Sequence, residues 1–591
     1  MLLPPKLSVP DALAHQLMAF TEIKSAPGRW RFALEATFLA ATSLTVVSLV
    51  FSPSLAIVGL TGAFLAVTAR TRPLRARAMI LAIMYLGYLI SVAAGALTGS
   101  RPWLLTISLT VISVVAVLGF NALVGDQPGP MFLVIGAAIA SYLPTIGISV
   151  ADVVQINAFG AGSACLTALL LQAIRHDTTV RDVIDAAEKS ITAYARTMPG
   201  EGDPAERGRL RDAAYASVFR ASSVLEASVG SHPHGRGWVQ ANMKLRQLHV
   251  ALVQRISLAR LDGAPVAVGA MEQSRYLGLP SARYLLRWGL SKRSLPWLAA
   301  RRLAAAVLLT CAVSYGFGVG QPYWAVLTTA LIITIGADRL SLTHRALHRL
   351  AGTLVGVLLF FVLHLLDLGG LGLLMAALLL VFTMQMVVVR NYALGAVFIT
   401  PMALLISSAG SPSRPVMEVA GVRILDTVIG AACSLAVIWV SSHGTPILLV
   451  RRQYRRALRA LEHLLVLLAE GEHASGRGLS ARRDLAFEQL QCAQILRIAQ
   501  VELPITLGSW DEMEGALNEV SYTVLAACWT TDPPAVLDAA AMAAQMQRML
   551  ARLPPVSRGP VDAQELARDL NKVMAAGIKA SEQPTTRTVQ T

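Results

Sequence analysis

The sequence carries little charge. Only 15% of its 591 residues are Asp, Glu, Lys or Arg. An ordinary soluble domain has about 25%, so this chain lacks the polar surface to cover a water-exposed globule of its size. Acid is the scarcer sign, with 36 Asp+Glu against 51 Lys+Arg and a formal charge of +15. The five cysteines are widely spaced and form no CxxC pair, so neither a disulfide framework nor a zinc site is indicated. The sequence also lacks a P-loop, an HExxH, a GxSxG elbow and a GxGxxG placed between strand and helix. Neither an enzyme, a cofactor nor a metal is therefore expected. His232-Pro-His234 sits in a Gly-rich stretch with no Cys or acid nearby and reads as solvated loop histidines. No basic stripe interleaved with aromatics is present, which argues against nucleic acid as a partner.

What is present is aliphatic: 54% of the residues are hydrophobic and the mean hydropathy is +0.56. A helix needs about 20 mostly apolar residues to cross a bilayer. Six runs of about that length lie in the first half, at 32–51, 53–69, 78–98, 103–125, 130–149 and 153–174. Six more lie in the second, at 302–320, 323–338, 349–368, 370–389, 392–409 and 423–442. Residues 175–290 and 448–580 are charged and helix-periodic, without strand alternation. The expected fold is all-α: a polytopic membrane protein of two parallel six-helix blocks, each followed by a cytoplasmic helical domain. The boundaries are 1–31 for an N-terminal amphipathic segment, 32–174 and 291–442 for the membrane blocks, 175–290 and 443–580 for the helical domains, and 581–591 for a disordered tail. No cleavable signal is visible in MLLPPKLSVP. Local matches support the repeat. Arg31 and Arg301 precede the first span of each half, and Arg75 and Arg345 recur at the same offset of 270 residues. Gly162-Ser-Ala-Cys165 answers Gly430-Ala-Ala-Cys433, and Arg211-Asp212 answers Arg483-Asp484.

The basic segments 70–77, 338–349 and 451–456, with Lys24, Arg29 and Arg31, fall on one side if each half has six spans. The positive-inside rule then puts both termini and both helical domains in the cytoplasm.

Ionisable residues inside a bilayer are costly and default to function. Arg349 opens the segment Arg349-x-x-Gly352-Thr353-x-x-Gly356, and Arg423 and Asp426, at i and i+3, can pair on one helix face. Glu35 lies one turn into the first span, and His364 lies toward the end of the ninth. Gly352 and Gly356 allow close packing, as does Gly430; Gly95–Gly99 and Gly352–Gly356 could pack within the chain or form a homodimer face. Tyr323 and Trp324 fit an interfacial anchor. Pro401, mid-span, frees a backbone carbonyl, and Gln385 needs polar partners.

The Tyr323-Trp324-Ala325 run, the basic loop 338–349, the Arg349 segment and Arg423-x-x-Asp426-Thr427-x-x-Gly430 together resemble the fusaric acid resistance family, which includes the aromatic acid exporters. The resemblance covers about 150 residues of the second half. In the first half Met79 and Ala82-Ile83 stand where Arg349 and Gly352-Thr353 would recur. It implies a bacterial inner-membrane exporter of small, often aromatic, carboxylic acids, in some members working with a periplasmic adaptor protein. More distantly the family resembles plant malate-permeable anion channels. On this reading Arg349, Thr353, Gln385, Pro401, Arg423 and Asp426 line the substrate path. Asp426 or His364 exchanges a proton, and Gly352, Gly356, Gly430 and Trp324 serve packing or gating. A gated anion channel and a membrane scaffold are the alternatives.

Overall fold

The computed structural model describes residues 20–123, 129–174, 179–197, 203–228, 236–261, 263–268, 278–292, 294–318, 321–334, 338–366, 368–408, 415–441, 445–531, 536–556 and 561–578. The first nineteen residues, the His232–His234 pair and the 581–591 tail lie outside these. The described chain is helical, and its sole β pairing is an isolated bridge between Val266 and Thr530. It forms two compact units: Met1–Arg70, Arg77–Ile174 and Pro296–His443 make one, and Thr71–Ala76, Arg175–Leu295 and Gly444–Thr591 the other.

The first unit contains α1 (Arg29–Val50), α2 (Pro53–Ala63), α3 (Leu74–Thr98), α4 (Pro102–Leu123), α5 (Met131–Tyr142) and α6 (Val150–Ile174). In the second unit α7 (Thr179–Ala195), α8 (Pro204–Ser228), α9 (Arg236–Arg260) and α10 (Ala282–Leu290) follow. The chain returns to the first unit with α11 (Leu295–Gly316), α12 (Pro322–Ile333), α13 (Arg339–Leu365), α14 (Gly370–Val387), α15 (Tyr392–Ser408) and α16 (Val416–Ser441). It ends in the second unit with α17 (Thr445–Ala469), α18 (Gly476–Glu502), α19 (Pro504–Leu507), α20 (Trp510–Ala527), α21 (Ala539–Arg552) and α22 (Ala563–Ile578). The glycine-rich stretch 471–479 enters α18 at Gly476, where the Ser475 side chain caps the helix by accepting from Gly478 N–H.

All twelve apolar runs are helical, but they are not equal. Among the described residues eight helices are long and apolar enough to cross a membrane; Leu55–Val67, Met131–Ile146, Pro322–Ile333 and Tyr392–Ile406 are shorter. The short ones stand second and fifth in each set of six. Their ends are set by sequence: Pro53 and Pro322 sit in first turns, and Ala69 turns left-handed at φ 55° just beyond the end of α2. A 3-10 turn carrying Pro144 ends the fifth run of the first set. Of the short helices α12 is enclosed along its length, with every residue from Tyr323 to Ile333 buried.

The first unit is built as a membrane protein should be, with small and polar groups at its close helix contacts and many large aliphatics exposed on its outside. Along α13, Arg349, Gly352, Thr353 and Gly356 are buried, whereas Leu354, Val355, Leu358 and Val362 are exposed. Gly352 faces Ala393 O and Ala396 of α15 so closely that a Cβ would lie 2.5 Å from either. A Cβ on Gly356 would lie 2.7 Å from Thr400 Cβ and from Val397 O, the carbonyl released by Pro401. Gly95 of α3 and Gly99, just past its end, are likewise pressed on the carbonyls of Ala137 and Ser141 in α5. Both glycine pairs considered for dimerisation are therefore engaged inside the chain.

The second unit is an ordinary amphipathic bundle. Ile184, Ala187, Ala221, Leu225 and Leu245 form the core of α7, α8 and α9. Glu488 of α18 is fully buried and held by Arg456 (2.8 Å), Gln453 (2.6 Å) and the Tyr284 hydroxyl (2.5 Å). Arg211 pairs with Glu519 and with Asp212, while Arg483 pairs with Glu226 (3.1 Å).

Candidate functional site

Twelve-residue α12 runs beside α16 and α13, and the charges cluster around it. Arg349 on α13 and Arg423 on α16 are among the largest fully buried side chains of the molecule. Among the described residues, all three guanidinium nitrogens of each lack a hydrogen-bond partner, as do Thr353 Oγ1 and Asp426 Oδ2. The two arginines stand near enough for their like charges to repel. Burying an ion uncompensated costs several kcal/mol, so this arrangement is not explained by stability.

Arg423 and Asp426 do not form the pair that their spacing permits. Arg423 instead lies over the indole of Trp324, 4.4 Å from its centroid. Asp426 Oδ1 accepts the Gln321 backbone N–H at 2.8 Å. Gln321 is the N-cap of α12 and its own side chain makes no capping bond. The helix start exposes N–H groups and partial positive charge, and these receive the Asp426 carboxylate. The opposite end of α12 is held too: Arg345 Nε donates to Leu331 O at 2.6 Å, and its guanidinium lies 3.7 Å from the Tyr392 ring centroid.

The first half holds a neutral counterpart. Tyr88 of α3 donates to Asn157 Oδ1 of α6 at 2.6 Å, and Thr61 of α2 reaches both, at 2.8 Å from Tyr88 Oη and 3.1 Å from Asn157 Oδ1. This triad sits on the second, third and sixth helices of its set, as the charged cluster does in the second half. Sequence reading missed it, although a lone Asn in the apolar text VADVVQINAFGAG was the available signal. The repeat at the helix end was also misread by two residues. Arg77, not Arg75, answers Arg345, since its Nη2 donates to Ala66 O at the end of the short helical run begun by α2 (2.7 Å).

The remaining candidates are dispersed. Gln385 is buried on α14, where its backbone carbonyl accepts from Arg29 Nε at 2.9 Å, and α14 packs on α1 and α15. Pro401 is buried on α15 beside Thr400, the residue that meets Gly356. Gly430 receives Ala325 O of α12, 2.5 Å from where a Cβ would stand. His364 is exposed in the last turn of α13, fifteen residues from Arg349 or about 22 Å along the helix; it is not part of the cluster. Glu35 is bound by Arg70 at 2.7 Å. Among the described residues no group of three His, Cys, Asp or Glu could hold a metal.

Twelve apolar helices, eight of them long enough to span a bilayer among the described residues, with large aliphatics exposed on their outside and a cationic cluster buried between them, define a multi-pass membrane protein. Residues 308–437, which include the whole cluster, match the family described as fusaric acid resistance protein-like, the family that the Arg349 and Arg423 segments led us to expect. The chain is also 23% identical over 524 residues to "Uncharacterized membrane protein YvaC" of Bacillus subtilis (strain 168), covering 78% of this chain and 81% of that one. No solved structure matches.

Proposed function

We propose that this chain is a secondary transporter that exports small organic anions, aromatic carboxylates foremost, across a bacterial inner membrane. Its termini and the helices of its second unit would lie in the cytoplasm, where basic loops draw the anion in. The observation that carries the reading is the pair of buried guanidinium groups of Arg349 and Arg423, whose nitrogens make no hydrogen bond among the described residues. A carboxylate offers each the charge and acceptor oxygens it lacks, and the indole of Trp324 offers a face to an aromatic ring. Thr353, one turn above Arg349, adds a hydroxyl. Asp426, with one oxygen free, is the proton-exchanging group; His364 is too remote for that task.

The guanidinium nitrogens are closed to water, as they would be in a carrier between its two open states or in a gated channel that is shut. A carrier opens that site to one side at a time, whereas a channel wets it through when its gate opens. Purified protein in liposomes decides the matter, with benzoate as probe. Accumulation against a benzoate gradient under an imposed pH difference, abolished by Arg349→Ala, supports the proposal. Large passive anion currents would replace it with the channel. Neither transport nor current for a panel of organic acids would leave a membrane scaffold.

A further inference from the structure

The two arginines of the cluster sit on different helices, and each has a neighbour that grips α12. On α13, Arg345 is one turn before Arg349 and donates to Leu331 O in the last turn of α12 (2.6 Å). On α16, Asp426 is one turn after Arg423 and accepts from Gln321 N at the first turn of α12 (2.8 Å). Residues four apart, or three apart, on a helix move together. A displacement of α13 or α16 that closes on an anion between Arg349 and Arg423 is therefore delivered to both ends of α12. The middle of α12 is joined to its neighbours by packing and neutral bonds: Thr329 reaches Thr310 (3.1 Å) and Gly430 O (3.3 Å) as well as Ala325 O of its own helix (3.1 Å), and Thr328 Oγ1 has no partner among the described residues.

The first half shows how the same scaffold looks without such a linkage. Arg77 grips the end of the corresponding run through Ala66 O, and it also donates to Gln172 at 3.0 Å. The start of α2 is capped from within by Ser52, which accepts from Leu55 N at 3.4 Å. Thr61 ties the centre of that helix to α3 and α6 through the neutral triad. No charged residue of α6 is used.

We infer that Arg345 is a positioning residue for transport. It does not touch the anion; it clamps the C-terminal end of α12 so that closure of α13 and α16 around the anion moves that helix as one body. Asp426 is the second clamp, and α12 is the moving part. The inference rests on the proposed transport site but is read out separately from it.

The test uses the full chain in liposomes, with benzoate as the transport probe and a cysteine at Ala330, a fully buried position in α12, labelled by a membrane-permeant maleimide. The native cysteines are replaced by alanine or serine in all variants. Arg345→Gln is expected to lower the maximal benzoate flux at least tenfold with KM changed less than twofold. It is also expected to raise Ala330→Cys labelling severalfold, with Arg345→Lys restoring both. Arg349→Gln is expected to raise KM instead. The matched control is Arg77→Gln with Ala63→Cys in α2, where flux and labelling should stay within twofold of the parent. Unchanged labelling in Arg345→Gln, or an equal loss of flux in Arg77→Gln, overturns the inference. If benzoate is not transported at all but the Ala330→Cys labelling still responds to Arg345→Gln and not to Arg345→Lys, the transport reading fails and the clamp stands.

Discussion

Arg423 rests on the indole of Trp324 at 4.4 Å and leaves Asp426, three residues along the same helix, to bind the Gln321 N–H of α12. Two charges on one helix thus secure one neighbouring helix in different ways. The guanidinium keeps all its donors, and the carboxylate keeps one oxygen.

A buried charge without partners weakens the fold. Replacing Arg349 by Met, an unbranched apolar side chain, is expected to raise the thermal midpoint in detergent, corresponding to about 1–4 kcal/mol, while abolishing benzoate transport. Paired unfolding curves and flux measurements check this; a destabilised Arg349→Met would mean that Arg349 has a structural partner.

Trp324 supplies a flat face, not a charge. Trp324→Phe is expected to retain transport within about threefold, whereas Trp324→Ala should lose about tenfold, given that a desolvated cation–π contact contributes on the order of 1–2 kcal/mol. Initial rates at saturating and limiting benzoate distinguish the two.

Close helix contact makes Gly356 intolerant. Gly356→Ala places a Cβ 2.7 Å from Thr400 Cβ and Val397 O, and overpacking of this kind costs about 1–3 kcal/mol. Gly119→Ala, with nothing within 4 Å, should leave the midpoint unchanged or slightly raised. Thermal unfolding of the two variants side by side tests the contrast.

The second unit carries a titration. Burial, reinforced by the negative charge of Asp212, pushes the Glu514 carboxyl up from 4.5 to about 7. The folded state then holds more protons than the unfolded one between those values. This contribution to stability is fully present below about pH 4.5 and is lost as pH rises through 7. The wild-type midpoint should accordingly fall more between pH 5 and pH 8 than that of Glu514→Gln. Parallel pH profiles would remove Glu514 from the account.

The neutral triad is structural. Tyr88→Phe leaves Asn157 and Thr61 short of a buried donor, at a cost of about 1–3 kcal/mol, and should not alter KM for benzoate. A KM shift comparable with that of Arg349→Gln would show a second transport site in the first half.

Much of this was legible in the sequence. The twelve apolar runs needed only length and composition, and the cluster residues Arg349, Arg423 and Asp426 stood out because charge is rare in such text. Partner choice was not legible. Spacing allowed Arg423 to meet Asp426, but the competitor was a backbone N–H more than a hundred residues away, released by the start of α12 at Pro322. Tyr88, Thr61 and Asn157 lie on three helices, and no local pattern joins them. The equivalence of Arg77 with Arg345 was hidden because counting at a fixed offset favoured Arg75, while the carbonyl that receives the charge is found only in three dimensions. His364 looked like a proton carrier by type, and its place at a helix end removed it from the cluster.

The short helix α12 has an electrical consequence. Its twelve residues extend about 18 Å, against about 30 Å of hydrocarbon. Wherever water follows the shortened ends, the membrane voltage drops over that lesser distance. A potential of 100 mV does about 2.3 kcal/mol of work on each elementary charge that crosses it. Under that condition the work would fall on an anion as it passes between the Gln321 and Arg345 ends, within the reach of the two arginines.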